Sequence, residues 1–533
     1  MRLQHIFSAT LLVSTTSANL SEQVDLSYST YKGVALSNGV TQWLGMRYAA
    51  PPVGKLRFMP PQDPPRTYGV QMADTHGYYC LATGHSPTEN TTSEDCLFVD
   101  VQAPSNAKPG SLPVFLYIQG GGFNLNSNAN INASGLIEAS GHNIVVVSFN
   151  YRVGPYGFLT DGKDIKPNNG LRDQEKVMQW VQKYISKFGG NPKHVTLGGS
   201  SAGAESVIIH LTARNGTNKG YFHAVAAESP SFATTLTIPE SQYLYRHFAT
   251  RLGCVGSDSL ACLRNKTARE LQEQNFNIPL PLAANPPNYM YVPCIDGEYL
   301  PDYTYRLIQN GQFIKVPSIF GDDTNGGTKF APRNTSTLAE SNTYMLDNYP
   351  FLTLDLMEEM NKMYPNPNTT CPNPGCYWRQ ASNTYQEVRY MCPALAMTSA
   401  LVKAGIKNSF AYRWNVEDPE QMAQGLGVPH TSEFDAILGP DYASSPPASY
   451  QKGGINYPAS PVIQKYWTNF IQHHDPNEGG DSDVKVAKWT PWSSRAQDRV
   501  VFQTGGKTEM EPFGDALNKR CAFWAKYGVK LRT

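Results

Sequence analysis

Short apolar runs alternate with segments of helical periodicity along most of this chain. Between Leu171 and Phe188, apolar residues such as Val177, Trp180 and Val181 recur at helical spacing, which predicts a crossover helix. The alternation predicts an α/β fold with a large, mostly parallel central sheet and helices on both faces. The expected strands are Val114 to Gln119, Ile144 to Asn150, His194 to Gly199, His223 to Ala227, Pro317 to Gly321 and Phe410 to Asn415. Site residues are expected beyond the carboxyl ends of these strands.

One serine stands between a predicted strand and a predicted helix. The strand from His194 to Gly199 leads into GSSAG, and the residues from Ala202 onward, AGAESVIIHL, have helical spacing. Glycines two positions either side of Ser201 suit a strained elbow in which a Cβ would collide with neighbouring strands. The following helix N-terminus directs free N–H groups at the reacting centre. Ser201 is therefore the predicted nucleophile.

Several blocks of the sequence resemble the type-B carboxylesterase and lipase family, the cholinesterase-like branch of the α/β-hydrolases, most closely its secreted fungal members. The resemblance spans about Trp43 to His430, with loop insertions expected around the core fold. It implies an α/β-hydrolase fold and a serine carboxylic-ester hydrolase that needs no metal or organic cofactor. The blocks are WLGMRYAAPPVGKLRF from Trp43, SEDCLFVDVQAP from Ser93, NYRVGPYGFL from Asn150, GLRDQEKVMQWV from Gly170 and FGGNPKHVTLGGSSAG ending at Gly203.

A glycine run follows the strand that ends at Gln119. Glycines let backbone N–H groups approach a developing oxyanion, where one donor contributes about 2.7 to 4 kcal/mol. The resemblance implies that Gly121 and Gly122, with the amide of Ala202, form the oxyanion hole; the alternative is a plain glycine turn. Gln119 stands where many relatives carry His or Tyr.

The general base is expected at His430. It lies in GLGVPHTSEFDAILG, which resembles the family's catalytic-histidine loop, and Glu433 and Phe434 follow it as in the family. The base accepts the proton of the serine hydroxyl and later protonates the leaving alcohol.

The third member of the expected triad departs from the family pattern. Relatives usually carry a glutamate in a DEGT stretch, whereas this chain reads GDDTNGGT and has Gly326 at the matching position. Glu228, at the end of a strand next to the nucleophile strand, is the predicted replacement, because a glutamate side chain can largely bridge the 4.8 Å between strands. The alternatives are Glu205, the pair Asp322 and Asp323, or no acid at all.

The predicted reaction is a two-step acyl transfer from an ester to water. Cys80 and Cys96 enclose only a short loop, where lipases of the family carry a longer lid, so small or medium soluble esters are expected. Tyr289 and Tyr291 either line an acyl or alcohol pocket or serve in packing. A biosynthetic acyltransferase with the same residues and a noncatalytic adhesion or binding homologue are the alternative functions.

Composition and charge limit the classes of binding partner that this chain can have. The chain has 533 residues, with 44 Lys plus Arg against 44 Asp plus Glu, so no basic surface indicates nucleic acid. No repeat, linker or low-complexity tract divides it, which favours one domain over 19–533. Residues 1–18 have Arg2, a short apolar stretch and Ala18 at the end, which is typical of a secretory signal. A secreted chain without a membrane span is expected, and its oligomeric state does not follow from the sequence.

Cysteines and sequons agree with secretion. The nine cysteines are an odd set, and no CxxC or HExxH spacing indicates a metal site. The resemblance implies disulfides Cys80 to Cys96 and Cys254 to Cys262, and Cys371 with Cys376 is a weaker local pairing. The pairing of Cys294, Cys392 and Cys521 stays open. The expected glycosylation sites are Asn90, Asn132, Asn215, Asn265, Asn334 and Asn368.

Overall fold

The structure, a computed structural model, describes residues 20–85, 90–127, 129–367, 375–479, 484–493 and 495–533. The expected leader, 1–18, lies outside these residues, as do Asn368 and Cys371. Within them the strands are β1 Gln23–Asp25, β2 Thr30–Lys32, β3 Val34–Ala35, β4 Val40–Arg47, β5 Val70–Met72, β6 Tyr79–Cys80, β7 Thr92–Ser93, β8 Phe98–Pro104, β9 Leu112–Ile118, β10 Val145–Phe149, β11 Gly190–Ser200, β12 Ala224–Glu228, β13 Ser318–Asp323, β14 Ser409–Asn415, β15 Asp498–Gln503 and β16 Lys507–Pro512.

Helices connect and cover these strands. In the described part of the chain they are α1 Ser134–Ala139, α2 Gly154–Phe158, α3 Asn169–Tyr184, α4 Ala202–Gly216, α5 Ile238–Arg251, α6 Ser259–Asn265, α7 Ala268–Glu273, α8 Thr304–Gln309, α9 Leu338–Asn348, α10 Leu354–Met363, α11 Trp378–Gln386, α12 Cys392–Lys403, α13 Pro419–Ala423, α14 Phe434–Leu438, α15 Ala459–His473 and α16 Asp515–Tyr527. A π-helical turn, Glu387–Met391, joins α11 to α12. None of the helices in the described ranges is long and apolar enough to cross a membrane.

Eleven of the described strands form one sheet, in the order β16-β15-β14-β13-β12-β11-β9-β10-β8-β4-β3. The pairs from β10 through β9 and β11 to β15 are parallel, and antiparallel strands extend both edges. The prediction of a large, mostly parallel sheet is confirmed. Its parallel core brings the carboxyl ends of β9, β11, β12 and β13 to one edge.

Both faces of the sheet are buried, as parallel strands require. In β9, Val114, Leu116 and Ile118 pack in one apolar cluster with α3 and α4. The alternate residues Phe115 and Tyr117 pack in a second cluster with α1, α14 and α15. A third cluster, built by α9 to α12 and α16, stands beside the sheet and carries several tyrosines towards the edge where the strands end.

The predicted elements differ from the observed ones mainly at their ends. The helix expected over Leu171 to Phe188 is α3 followed by a tight 3-10 turn, Ile185–Phe188, which stops at Gly189 with a φ of +89°. The strand expected from His194 begins earlier, at Gly190, where β11 has a register shift against β9.

Three disulfides lie within the described residues. Cys80–Cys96 and Cys254–Cys262 close short loops, and Cys392–Cys521 joins α12 to α16 across 129 residues. Cys376 is also disulfide-bonded, and Cys294 is a buried free thiol. The Cys392–Cys521 disulfide therefore cross-links two helices of the third cluster, which contains several tyrosines.

Candidate active site

Ser201 occupies the elbow between β11 and α4. Its φ of +58° lies in a region that costs a non-glycine residue about 1 to 3 kcal/mol, so the surrounding contacts must hold it there. The Ser201 amide donates to the Glu228 carbonyl at 2.9 Å, and the Ser201 carbonyl accepts from the Glu205 amide at 2.9 Å. A Cβ at Gly203 would lie 2.0 Å from the Ile118 carbonyl oxygen, so only glycine allows α4 to start this close to β9. The Ser201 residue as a whole is 9% exposed.

The glycine loop after β9 lies against the nucleophile. A Cβ at Gly120 would be 3.0 Å from the Cβ of Ser201. Gly122 has a φ of +59°, and a Cβ there would be 2.3 Å from the ring of Tyr289. The backbone of this loop therefore faces Ser201 with no side chain between them, while the Tyr289 ring covers it.

Asn124 holds this loop in place, a role that sequence reasoning missed. Its side-chain amide donates to the Gly122 carbonyl at 2.6 Å and to the Tyr291 carbonyl at 2.7 Å, and its oxygen accepts from the Tyr291 amide at 3.1 Å. Tyr291 is fully buried, which places it among the packing residues, whereas Tyr289 borders the loop. An asparagine two residues after a glycine run was the available signal. Gln119, at the end of the strand, donates to Asn126 at 3.1 Å.

His430 lies on the loop between α13 and α14 among aromatic rings. Its imidazole stacks on Tyr390 at 4.1 Å between centroids, and Phe330 meets it edge-on at 5.3 Å. Among the described residues neither ring nitrogen has a hydrogen-bond partner. Burial lowers the pKa of His430 well below its usual value, and the charges of Lys329 and Arg389 lower it further. The imidazole is therefore neutral near pH 7, the form that accepts a proton.

Gly326, at the position where the sequence resemblance implies an acid, leaves room for a side chain. A Cβ built there would be 3.7 Å from Gln386, 3.8 Å from the Tyr390 ring and 3.9 Å from the Asp323 carbonyl oxygen, all ordinary contacts. The backbone at this glycine is not left-handed. Nothing steric excludes a side chain, so the site lacks the carboxylate but retains the room for one.

Glu228 lies at the end of β12, and its main chain supports Ser201 directly. Its buried carboxyl lies near Glu433 and Ser200: burial raises the pKa of Glu228 well above its usual value, Glu433 raises it further and the Ser200 hydroxyl lowers it. One oxygen of the carboxyl has no hydrogen-bond partner in the described part of the chain, and none of its bonds reaches His430. The structure therefore places Glu228 beside the end of the nucleophile strand, without a hydrogen bond to the imidazole.

Glu205, the second alternative, also makes no hydrogen bond to the imidazole among the described residues. Burial raises its pKa to about 8, while the charge of Arg389 and a hydrogen bond from the Ala233 amide lower it. Asp322 is buried too, and burial raises its pKa to about 7 against the opposing charges of Arg499 and Arg413. Both carboxyls are thus protonated to a large extent near neutral pH.

Asp323 accepts hydrogen bonds from the backbone directly after His430. Its carboxylate accepts from the Thr431 amide at 2.7 Å, the Ser432 amide at 3.1 Å and the Ser229 hydroxyl at 3.2 Å. Thr431 has a φ of +63°, which is strained for a β-branched residue and needs such support. We call these contacts of Asp323 the loop clamp.

Glu433 completes a buried carboxyl pair with Asp323. Burial, followed by the neighbouring Glu433, raises the pKa of Asp323 well above its usual value, and the two amides of the loop clamp lower it. Glu433 also accepts from the Tyr412 hydroxyl at 2.8 Å. Two carboxyls in this contact hold at least one proton between them, because both cannot ionise side by side.

Comparisons with known proteins identify the family of this chain. The carboxylesterase family model matches residues 21–524. Lipase 4 of Diutina rugosa is 29% identical over 496 residues, 85% of this chain and 86% of that one. The crystal structure of Aspergillus niger EstA matches with a TM-score of 0.91 and 37% identity, over 96% of this chain and 99% of that one. The predicted family, fold and enzyme class are confirmed: the chain belongs to the carboxylesterase family and is a carboxylic ester hydrolase with the α/β-hydrolase fold.

Proposed function

We propose that the chain hydrolyses carboxylic esters through an acyl-enzyme on Ser201. His430 accepts the proton of the Ser201 hydroxyl as its oxygen attacks the ester carbonyl, and then protonates the leaving alcohol. Water enters, loses a proton to the same imidazole and attacks the acyl group; the imidazolium then returns the proton to the Ser201 oxygen as the acid leaves. The observation that carries this proposal is a strained serine elbow packed against a bare glycine loop.

The amides of Gly121, Gly122 and Ala202 are the proposed donors to the oxyanion. Ala202 begins α4, so its N–H is free of the helix ladder and lies at the positive end of the helix. The positive φ values of Gly121 and Gly122 turn the loop backbone next to Ser201. Each donor held in place before the reaction contributes about 2.7 to 4 kcal/mol to the barrier reduction.

The orientation of His430 is the unusual part of the proposal. Glu228, the acid predicted from the sequence, would need a different side-chain position to reach a ring nitrogen, because neither nitrogen has a partner among the described residues. Tyr390 stacks on the face of the His430 ring. The loop clamp of Asp323 holds the backbone amide of Thr431, the residue that follows His430. We therefore propose that packing and the clamp orient the imidazole, and that catalysis proceeds without the full electrostatic help of an ionised acid.

The proposed substrates are small or medium esters, which the secreted enzyme hydrolyses outside the cell. The Cys80–Cys96 loop spans only 16 residues, and Tyr289 narrows the space above the glycine loop. The disulfides fit an oxidising compartment. The five described sequons, at Asn90, Asn132, Asn215, Asn265 and Asn334, all have exposed side chains, so they are accessible for the proposed glycosylation.

Hydrolysis of p-nitrophenyl acetate and butyrate tests the proposal. Ser201→Ala is expected to lose at least three powers of ten in kcat, whereas the matched control Ser200→Ala, one residue earlier, keeps the nucleophile and should remain active. Product analysis with added alcohol should show free acid as the main product, which separates hydrolysis from acyl transfer. Equal activity in the wild type and Ser201→Ala would contradict the proposed role of Ser201.

A further inference from the structure

Arg389 is a buried cation in the π-helical turn Glu387–Met391. Only 2% of the residue is exposed. Its Nε donates to the Ser231 hydroxyl at 2.9 Å, and its Nη2 has no hydrogen-bond partner among the described residues. Insertions of π-helical geometry often occur at functional sites because they turn one residue out of the helix register.

The charge of Arg389 has no ion-pair partner in the described part of the chain. The acidic side chain that acts on it electrostatically is Glu205, which burial keeps largely protonated near neutral pH. The faces of the Tyr289 and Tyr385 rings stabilise the guanidinium in part. A buried charge without an ionised partner still costs several kcal/mol, so binding of an anion from outside would be favoured.

Arg389 belongs to the wall of the active site. Its guanidinium lies 5.4 Å from the centre of the Tyr289 ring, the ring that covers Gly122. Tyr390, the next residue, stacks on His430 at 4.1 Å. Arg389 therefore contacts the ring that covers the glycine loop, and the residue next to it in the chain stacks on the imidazole.

Two more donors near Arg389 lack partners. The guanidinium lies 5.6 Å from the Tyr385 ring centre, and the rings of Tyr385 and Tyr390 are 6.0 Å apart. Both hydroxyls are buried without a hydrogen-bond partner in the described residues. Within the described residues this corner of the site combines a positive charge with unpartnered N–H and O–H donors, which matches the needs of a carboxylate.

We propose that Arg389, with the hydroxyls of Tyr385 and Tyr390, binds a carboxylate carried by the substrate, so that the preferred esters are half-esters of dicarboxylic acids. The inference rests on the proposed hydrolysis at Ser201 and adds the substrate class. The carboxylate replaces the missing ion-pair partner, while the ester carbonyl lies at the glycine loop. The reaction releases the free dicarboxylate and the alcohol.

Matched ester pairs test this inference. Monoethyl adipate and ethyl hexanoate differ only in a terminal carboxylate against a methyl group, and ethanol release gives kcat/KM for each. The ratio of the two values in the wild type is expected to exceed one, to fall at least tenfold in Arg389→Met, and to fall less in Arg389→Lys, which keeps the charge. A ratio that is unchanged in Arg389→Met, or a wild type that rejects monoethyl adipate, would overturn the inference.

A binding measurement on the wild type keeps the inference testable if Arg389→Met does not fold. Adipate should raise the melting temperature and inhibit hydrolysis of ethyl hexanoate at lower concentration than hexanoate does, and equal effects of the two acids would refute the subsite. Failure of the proposed hydrolysis is distinguishable, because it would leave ethyl hexanoate intact while adipate could still stabilise the folded chain.

Discussion

Replacing Gly326 by glutamate should raise the activity of this enzyme. The resemblance to the family implies an acid at this position, and a Cβ there meets nothing closer than 3.7 Å. The nearest aromatic neighbour, Tyr390, is the ring that stacks on His430, so a side chain from position 326 extends towards the imidazole. Both ring nitrogens are without partners among the described residues and one is available to such a carboxylate.

The size of the gain follows from the interaction that is added. A hydrogen bond to a charged group contributes about 1.5 to 3 kcal/mol, which converts to a rise in kcat of roughly 10- to 150-fold. The larger factor of about 10⁴ seen when the acid is neutralised in the serine-protease template is an upper limit. A carboxylate beside the imidazole also raises the pKa of His430, so the acid limb of kcat/KM should move to higher pH.

Stopped-flow or plate assays with p-nitrophenyl butyrate from pH 4 to 9 measure both effects. Gly326→Gln is the matched control, because it adds the same volume and a hydrogen-bonding amide without the charge. The reasoning is refuted if Gly326→Glu is no faster than Gly326→Gln and its pH profile does not move, since a carboxylate at position 326 would then not act on His430.

Substitutions at three further positions test the supporting parts of the site and the fold. Gly122→Ala forces a Cβ into the Tyr289 ring at a φ of +59°, so kcat should fall about 10²- to 10³-fold. The melting temperature should fall too, because the strained backbone costs about 1 to 3 kcal/mol. An unchanged kcat would argue against this loop as the oxyanion donor. Asp323→Ala removes the loop clamp, so it should cost about 1.5 to 3 kcal/mol of stability and lower kcat more than it changes KM. Asp323→Asn should have an intermediate effect, because one acceptor oxygen remains. A fully active Asp323→Ala would contradict the role of the loop clamp. Burial, followed by three neighbouring histidines, lowers the pKa of His474 to about 4. The unfolded chain therefore binds a proton below about pH 6.5 that the folded chain does not, and the stability from this group, present above pH 6.5, is lost as the pH falls towards 4. His474→Asn, which tolerates the left-handed backbone there, should flatten the fall in melting temperature between pH 7 and 4.

The central sheet could be predicted because its strands are buried on both faces. Such strands are continuous apolar runs, as in β9 and β10, and they stand out against the polar loops. The strands β1 to β3 and β5 to β7 have two or three residues each, too few for a period to be read. The Cys392–Cys521 pairing, across 129 residues, depends on the docking of α16 on α12, which no local spacing encodes.

The nucleophile and the glycine loop could be located because their chemistry is local. Small residues around Ser201 and after β9 are needed by the backbone itself, and the sequence shows them. The surroundings of His430 are long-range: the contact between Asp323 and Thr431 joins residues 108 apart, and Tyr390 comes from a π-helical turn without a sequence signature. The triad acid could not be assigned from the sequence for this reason.

Covalent labelling tests most directly whether Ser201 is the nucleophile. The folded chain is treated with a fluorophosphonate, and its intact mass, peptide map and residual esterase activity are followed together. The account predicts one phosphonyl group per chain, attached to Ser201, with activity lost in proportion to labelling. A chain that stays unlabelled, or one that is labelled at another residue while activity disappears, would contradict it.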